Sequence, residues 1–261
     1  MAASGELTAA TIPAGGLHSL GTVRLPPGKL AAPARYSIEV SVGGFANHWD
    51  FWVYPATLPA SPPGEMLTSR AWDETARSAL REGRRVLLLA PAGTLANAVP
   101  VSFTTSFWSL RWFPKRPETM GILCDPKHPA LADFPTRSHS DWQWWDLLSR
   151  SQALILSDAP PAYRPIVQVI DDPTRNHKLG AVFEARVGAG KLLVSTFELE
   201  SSLESRPAGR VTPLGGLSLG LSRFARVNQL KLELLIEGTG FANDWDLWVF
   251  PVGRSGGAHT R

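Results

Sequence analysis

Polar and apolar residues alternate along "YSIEVSVGG" (36–44), as expected of a strand with one face on a core. "FWVYP" (51–55) follows as an aromatic and β-branched run stopped by Pro55. Near the other end "QLKLELLIEG" (229–238) alternates in the same way, and "LWVFP" (247–251) repeats the stop. Between these ends the period changes. "MLTSRAWDETARSALREG" (66–83) has helical spacing in Leu67, Ala71, Ala76, Ala79 and Leu80 and closes on Gly83, which predicts a helix with a glycine C-cap. "RRVLLLAP" (84–91) is a continuous apolar run, the mark of a buried strand of the parallel kind. "SDWQWWDLLSRS" (140–151) reads as a helix capped by Ser140 or Asp141. "QALILSDAP" (152–160) and "PIVQVIDD" (165–172) read as further buried strands, and 179–199 as a hairpin or strand pair about "GAGK". Apolar strands interleaved with helices predict an α/β fold, a mostly parallel sheet with helices on its faces.

The two terminal β segments are copies of one another. "GFANHWDFWVYP" (44–55) and "GFANDWDLWVFP" (240–251) differ only at His48/Asp244, Phe51/Leu247 and Tyr54/Phe250, and "GGL" recurs upstream at 15–17 and 215–217. Such similarity predicts one local backbone, with Trp49 superposing on Trp245 and Trp52 on Trp248. Alternation along the first copy sends Trp49 and Phe51 to one face and Asp50 and Trp52 to the other. Each unit is too small to close a sandwich alone. The two either cap the middle separately or meet as halves of one sandwich, and the usual proximity of chain termini favours the second. The expected organisation is a β-sandwich element over 1–58, an α/β domain over 59–204 opening on the linker "LPASPPGE" (58–65), and a second β-sandwich element over 205–261.

Composition narrows the function classes. A chain of 261 residues with 44% apolar content can bury a sizeable core, and 19% charged residues without a long like-charge run argue against wholesale disorder. The net charge of +3 comes from scattered Arg rather than a basic face, which excludes nucleic acid as the expected partner. No stretch approaches the roughly 20 apolar residues of a membrane span. "MAASGELTAATIP" lacks a basic start and an apolar core, so a soluble protein, cytoplasmic by default, is expected. Cys124 has no second cysteine to pair with. Nine of the ten Trp cluster, at 49 and 52, 108 and 112, 142, 144 and 145, and 245 and 248, with Trp72 apart. Packing accounts for such clusters first. Stacking on the apolar faces of sugar rings is the second use.

"GILCDPKHPALADFPTRSHSDWQWWDLL" (121–148), followed by "PIVQVIDDPTRNHKLGAVFEARVGAGKLLVS" (165–195), resembles the C-terminal portion of large bacterial glycoside hydrolase family 2 proteins of the β-galactosidase-like, sugar-binding type. The likeness runs over residues 36–200. It implies a β-sandwich segment ending in an N-W-x-x-W-V-Y-P phrase, then a flavodoxin-like domain similar to class I glutamine amidotransferases. It also implies β-galactosides as the ligand class. The family's two catalytic glutamates stand on a (β/α)8 barrel of roughly 250 residues, for which this stretch has no room, so no residue here inherits their role.

Chemistry therefore has to come from other residues. Cys124 is no nucleophile, because "GILCDPKHP" lacks elbow glycines and Pro126 breaks any following helix. A glycosidase needs two carboxyls about 5 to 10 Å apart, one of raised pKa. The candidates are Asp141, Asp171, Asp172 and Glu184, with Asp125 behind them. His139, Trp142, Trp144, Trp145, Arg175 and Asn176 surround them in sequence and form the expected carbohydrate-binding set. Plainer roles compete: a helix cap at Ser140 or Asp141, core packing for the Trp residues, and turn chemistry before Pro173. The site is expected at the C-terminal edge of the parallel sheet. The favoured reading is a small atypical β-galactosidase. The alternative is a non-catalytic carbohydrate-binding or assembly module of a larger glycoside hydrolase. Neither needs a metal or cofactor, the expected partner is a carbohydrate rather than a membrane, and self-association stays open.

Overall fold

The computed structural model describes residues 4–7, 11, 30–55, 66–103, 119–199 and 206. The chain divides into two units, Met1–Ala31 with Val227–Arg261, and Ala32–Arg226. Every element below belongs to the second. The second Trp-rich copy, the 205–261 element that holds it, and Trp108 and Trp112 lie outside the described residues.

Strands β1 (Ala34–Val42) and β2 (Phe45–Val53) form an antiparallel two-stranded sheet in which Val42 faces Phe45. The turn between them is Gly43–Gly44, with φ of 56° and 85°. A two-residue turn with φ positive at both positions matches the twist of the strands it joins, and glycine enters that region without a Cβ clash. The alternation expected in β2 is present. Phe51 is buried and stacks on Tyr36 at 5.6 Å, while Asp50 and Trp52 reach the 135–137 segment.

The middle begins with a strand–helix–strand unit: β3 (Met66–Ser69), α1 (Glu74–Arg81) and β4 (Arg85–Leu89), with β3 parallel to β4. The helix expected over 66–83 is thus shorter, and its first residues form a strand. Asp73 starts it by accepting the Ala76 N–H at 2.9 Å, while Met66–Ser69 pair with β4. There follow β5 (Ala98–Pro100), β6 (Thr119–Cys124), α2 (Trp144–Ser149), β7 (Gln152–Ile155), β8 (Val167–Asp171), β9 (Leu179–Val187) and β10 (Gly190–Ser195). The sheet runs β3-β4-β10-β9-β7-β5, and β8 bridges β6 to β9.

This arrangement overturns the flavodoxin-like, class I glutamine amidotransferase-like expectation. Only β3–β4 and β4–β10 are parallel among the described strands. The pairs β9–β10, β7–β9, β8–β9, β6–β8 and β5–β7 are antiparallel. Among the described residues the fold is β-rich, with a mixed sheet and two short α-helices. Runs at 85–89, 152–155 and 167–171 are strands as expected, but only the first has parallel neighbours. A continuous apolar run reports burial on both faces, not strand direction. Direction was set by the connections: 172–178 and 188–189 are too short for the crossover of a dozen or more residues that parallel neighbours need.

Two apolar clusters cover the sheet. Val86 and Leu88 of β4 join Ala76, Ala79 and Leu80 of α1, while Leu87 and Leu89 join Trp144, Leu147 and Leu148 of α2 with Leu131 and Phe134. Alternate residues of one strand thus serve opposite faces.

Candidate functional site

The segment 134–145 gathers most of the polar groups that sequence singled out. It lies along β6, with Leu123 bridged to His139 and the Cys124 N–H donating to the Ser138 carbonyl at 2.9 Å. Gly121 permits this approach, because a Cβ there would stand 2.6 Å from Ser140 Oγ, at a φ of 147°. His139 is exposed. α2 begins later than expected: neither Ser140 nor Asp141 is its cap, and Gln143 holds that position without a side-chain bond to the helix.

The three Trp of this segment separate. Trp144 is completely buried, set edge-on against Phe134 at 4.9 Å, with its indole N–H donating to Thr136 Oγ1 at 2.8 Å. It is a core residue and leaves the expected carbohydrate-binding set. Trp142 is 63% exposed and Trp145 50% exposed. The Trp145 N–H donates to the Trp142 carbonyl at 3.2 Å, closing a turn that puts the two on one side. Phe103 supports Trp142, its ring 5.5 Å away and tilted by 34°.

Asp141 is half-buried beneath this turn. Its Oδ2 lies 3.5 Å from Gln143 Nε2, and its Oδ1 is buried with no hydrogen-bond partner. Burial, opposed by Gln143 and Arg137, pushes its carboxyl up to about 6. Cys124 on β6 donates its thiol to the Arg137 carbonyl, and burial with the nearby Asp141 and Asp125 charges pushes it up to about 11. A thiol held that high is neutral at ordinary pH and no nucleophile.

Asp171 and Asp172 belong to a different cluster, at the end of β8. Asp171 Oδ1 accepts from Arg175 Nε at 3.1 Å and from the Asp172 N–H at 2.9 Å, and Oδ2 accepts from the His177 N–H at 2.9 Å. Asp172 Oδ1 accepts from the Thr174 N–H at 2.8 Å and from its hydroxyl. Asn176 follows in the left-handed region at φ 54°. This is turn chemistry at both carboxylates, with Arg175 as a structural partner. Glu184 is exposed in the middle of β9, opposite Leu193 of β10. With the parallel sheet gone, the expected crevice at its C-terminal edge goes too.

Sequence reasoning missed Tyr54 and Arg206. The Tyr54 hydroxyl donates to Gln143 Oε1 from the end of the hairpin. Arg206 is buried among carboxylates, with Nε 2.6 Å from Asp146 Oδ2 and Nη1 on Glu198. Tyr54 carried a signal, since the second copy has Phe250 in its place. Arg206 carried none, because nothing local announces a partner 60 residues away. Among the described residues no group of three His, Cys, Asp or Glu could hold a metal ion, and no helix is long and apolar enough to cross a membrane.

Residues 67–212 match a domain of unknown function (DUF8487). Residues 1–55 together with 188–251 match a second (DUF8488), a two-part stretch that contains both Trp-rich copies. No curated protein matches the chain.

Proposed function

The chain belongs to the DUF8487 family, and from that premise we propose that it is a non-catalytic carbohydrate-binding module, its ligand seated on Trp142 and Trp145. The observation that carries this reading is the exposure of these two indoles on one side of a turn whose third Trp is core. Large aromatic faces left in water beside polar groups suit ligands that combine apolar C–H surface with hydroxyls. Sugars are such ligands, and the resemblance to the sugar-binding region of family 2 glycoside hydrolases supports β-galactosides as the class. His139, exposed on the same segment, supplies a polar group for hydroxyls. The carboxylates at the end of β8 are spent on their own turn, which counts against a catalytic pair there.

Titration with galactose and lactose, followed by indole fluorescence, tests the reading. Trp142→Ala and Trp145→Ala should each weaken binding about tenfold, the worth of one aromatic contact. Trp72→Ala, which removes another exposed indole, should change nothing. Equal binding by all three variants and the parent would remove Trp142 and Trp145 from the site.

A hydrolase reading retains one supporting observation, the raised carboxyl of Asp141. It requires turnover of nitrophenyl β-galactoside that disappears in Asp141→Asn.

A further inference from the structure

The β1–β2 hairpin makes no ladder bond with the eight-stranded sheet. It is held instead by side chains of β2 and of Tyr54, just beyond it, all directed at 134–143. Asp50 pairs with Arg137, and Arg35 approaches the same carboxylate at 3.7 Å. Trp52 Nε1 donates to the Pro135 carbonyl at 2.9 Å, an acceptor it shares with Gln143 Nε2, also at 2.9 Å. Tyr54 stacks on Phe134 at 6.2 Å and donates its hydroxyl to Gln143 Oε1. Gln143, 6% exposed, is thus the hinge pin of the attachment: its oxygen holds Tyr54, and its nitrogen holds Pro135 and faces Asp141.

We propose that Asp141, Gln143 and Tyr54 form a proton-operated latch, closed while Asp141 is neutral and loosened when it ionises, which controls how firmly the hairpin sits on the main sheet. The geometry supplies the reason. An ionised Asp141 would have one oxygen buried without a donor and the other only 3.5 Å from Gln143. The cation facing it, Arg137, is already engaged by Asp50. Gln143 and Arg137 favour the anion, but burial outweighs them. Cys124 on β6 is held as a neutral thiol with Asp125 beside it, Tyr54 is a neutral phenol, Arg35 lies beyond Asp50, and His139 is exposed two residues away. A buried charge short of donors is costly, so it draws on the Gln143 amide. Turning that amide to Asp141 takes its nitrogen from Pro135 and moves its oxygen off the Tyr54 hydroxyl.

The direction with pH follows from the raised carboxyl. A group that holds its proton more tightly in the closed state stabilises that state at low pH, and the contribution fades as pH rises through about 6. The second copy of the phrase ends in Phe250, which has no hydroxyl, so the latch chemistry belongs to the first copy.

Amide hydrogen exchange on the full chain, corrected for intrinsic exchange rates, tests this between pH 5 and pH 8. Protection of β1 and β2 amides should fall by up to roughly tenfold over that range, because pH 5 lies about one unit below the carboxyl. Amides of β9 and β10 should hold steady. Asp141→Asn should abolish the pH response of the hairpin. Tyr54→Phe should leave the hairpin at its low, alkaline level of protection even at pH 5. Hairpin protection that ignores pH, that follows pH equally in Asp141→Asn, or that moves in parallel with β9 and β10 would overturn the latch. Should Asp141→Asn fail to fold, wild-type protein and Tyr54→Phe decide the matter, since full acid protection without the hydroxyl is incompatible with it.

Discussion

The carboxylates that end β8 show how much a single residue can be committed to structure. Asp171 accepts from a guanidinium and two backbone N–H groups, with its side chain almost wholly buried. Removing the charge leaves Arg175 beside a neutral amide and puts an N–H₂ where donors already converge. Asp171→Asn should therefore cost about 3 kcal/mol, the usual penalty for breaking a buried pair. Chemical denaturation measures it, and an unchanged midpoint would mean that the turn does not depend on this anion. The turn itself was legible in "DDPTRN", because Asp before Pro favours local hydrogen bonds. The isolation of Asp141 was not. Its raised carboxyl comes from burial, which outweighs the opposing pull of Gln143 and Arg137, and that burial exists only when hairpin, β6 and α2 are assembled.

Elements here owe their existence to such ties. α2 has six residues, far below the roughly 12 at which an isolated helix becomes even marginal in water. Trp144, Leu147 and Leu148 pin one side to the core, and Asp146 reaches Arg206, which also holds Glu198 beyond β10. Arg206→Met should cost about 3 kcal/mol, because it removes the buried cation that Asp146 and Glu198 share, Arg150 remaining beside Asp146 at 3.6 Å. The loss should appear as a lower Tm and faster amide exchange in α2. Wild-type exchange in α2 would show that the apolar face holds the helix alone. Apolar spacing in "WWDLL" revealed the helix. Its late start was hidden, since Ser140 and Asp141 are residue types that favour a cap, yet Gln143 holds that position. Of the hairpin, the alternation along 36–44 and the aromatic run at 51–55 were legible, while the tight turn at Gly43–Gly44 came only with the structure.

At the scale of the molecule, β9 is the strand on which the sheet converges, paired with β10, β7 and β8. Its N-terminal half is buried through five successive residues. Amides in that half should exchange slowest in the protein, and those of edge strands β3 and β5 fastest, in native-state exchange experiments. Slow exchange at β3 would mean that its outer edge is covered. The strands at 85–89, 152–155 and 167–171, the strand pair after 179 and the turn after β8 follow from sequence alone, because period, glycine placement and Asp–Pro chemistry act over a few neighbouring residues. Strand direction, the sorting of Trp142, Trp144 and Trp145 into surface and core, and the company around Asp141 were decided by tertiary structure. An apolar run satisfies a strand buried on both faces whichever way its neighbours point, and a polar group's cost depends on what closes over it.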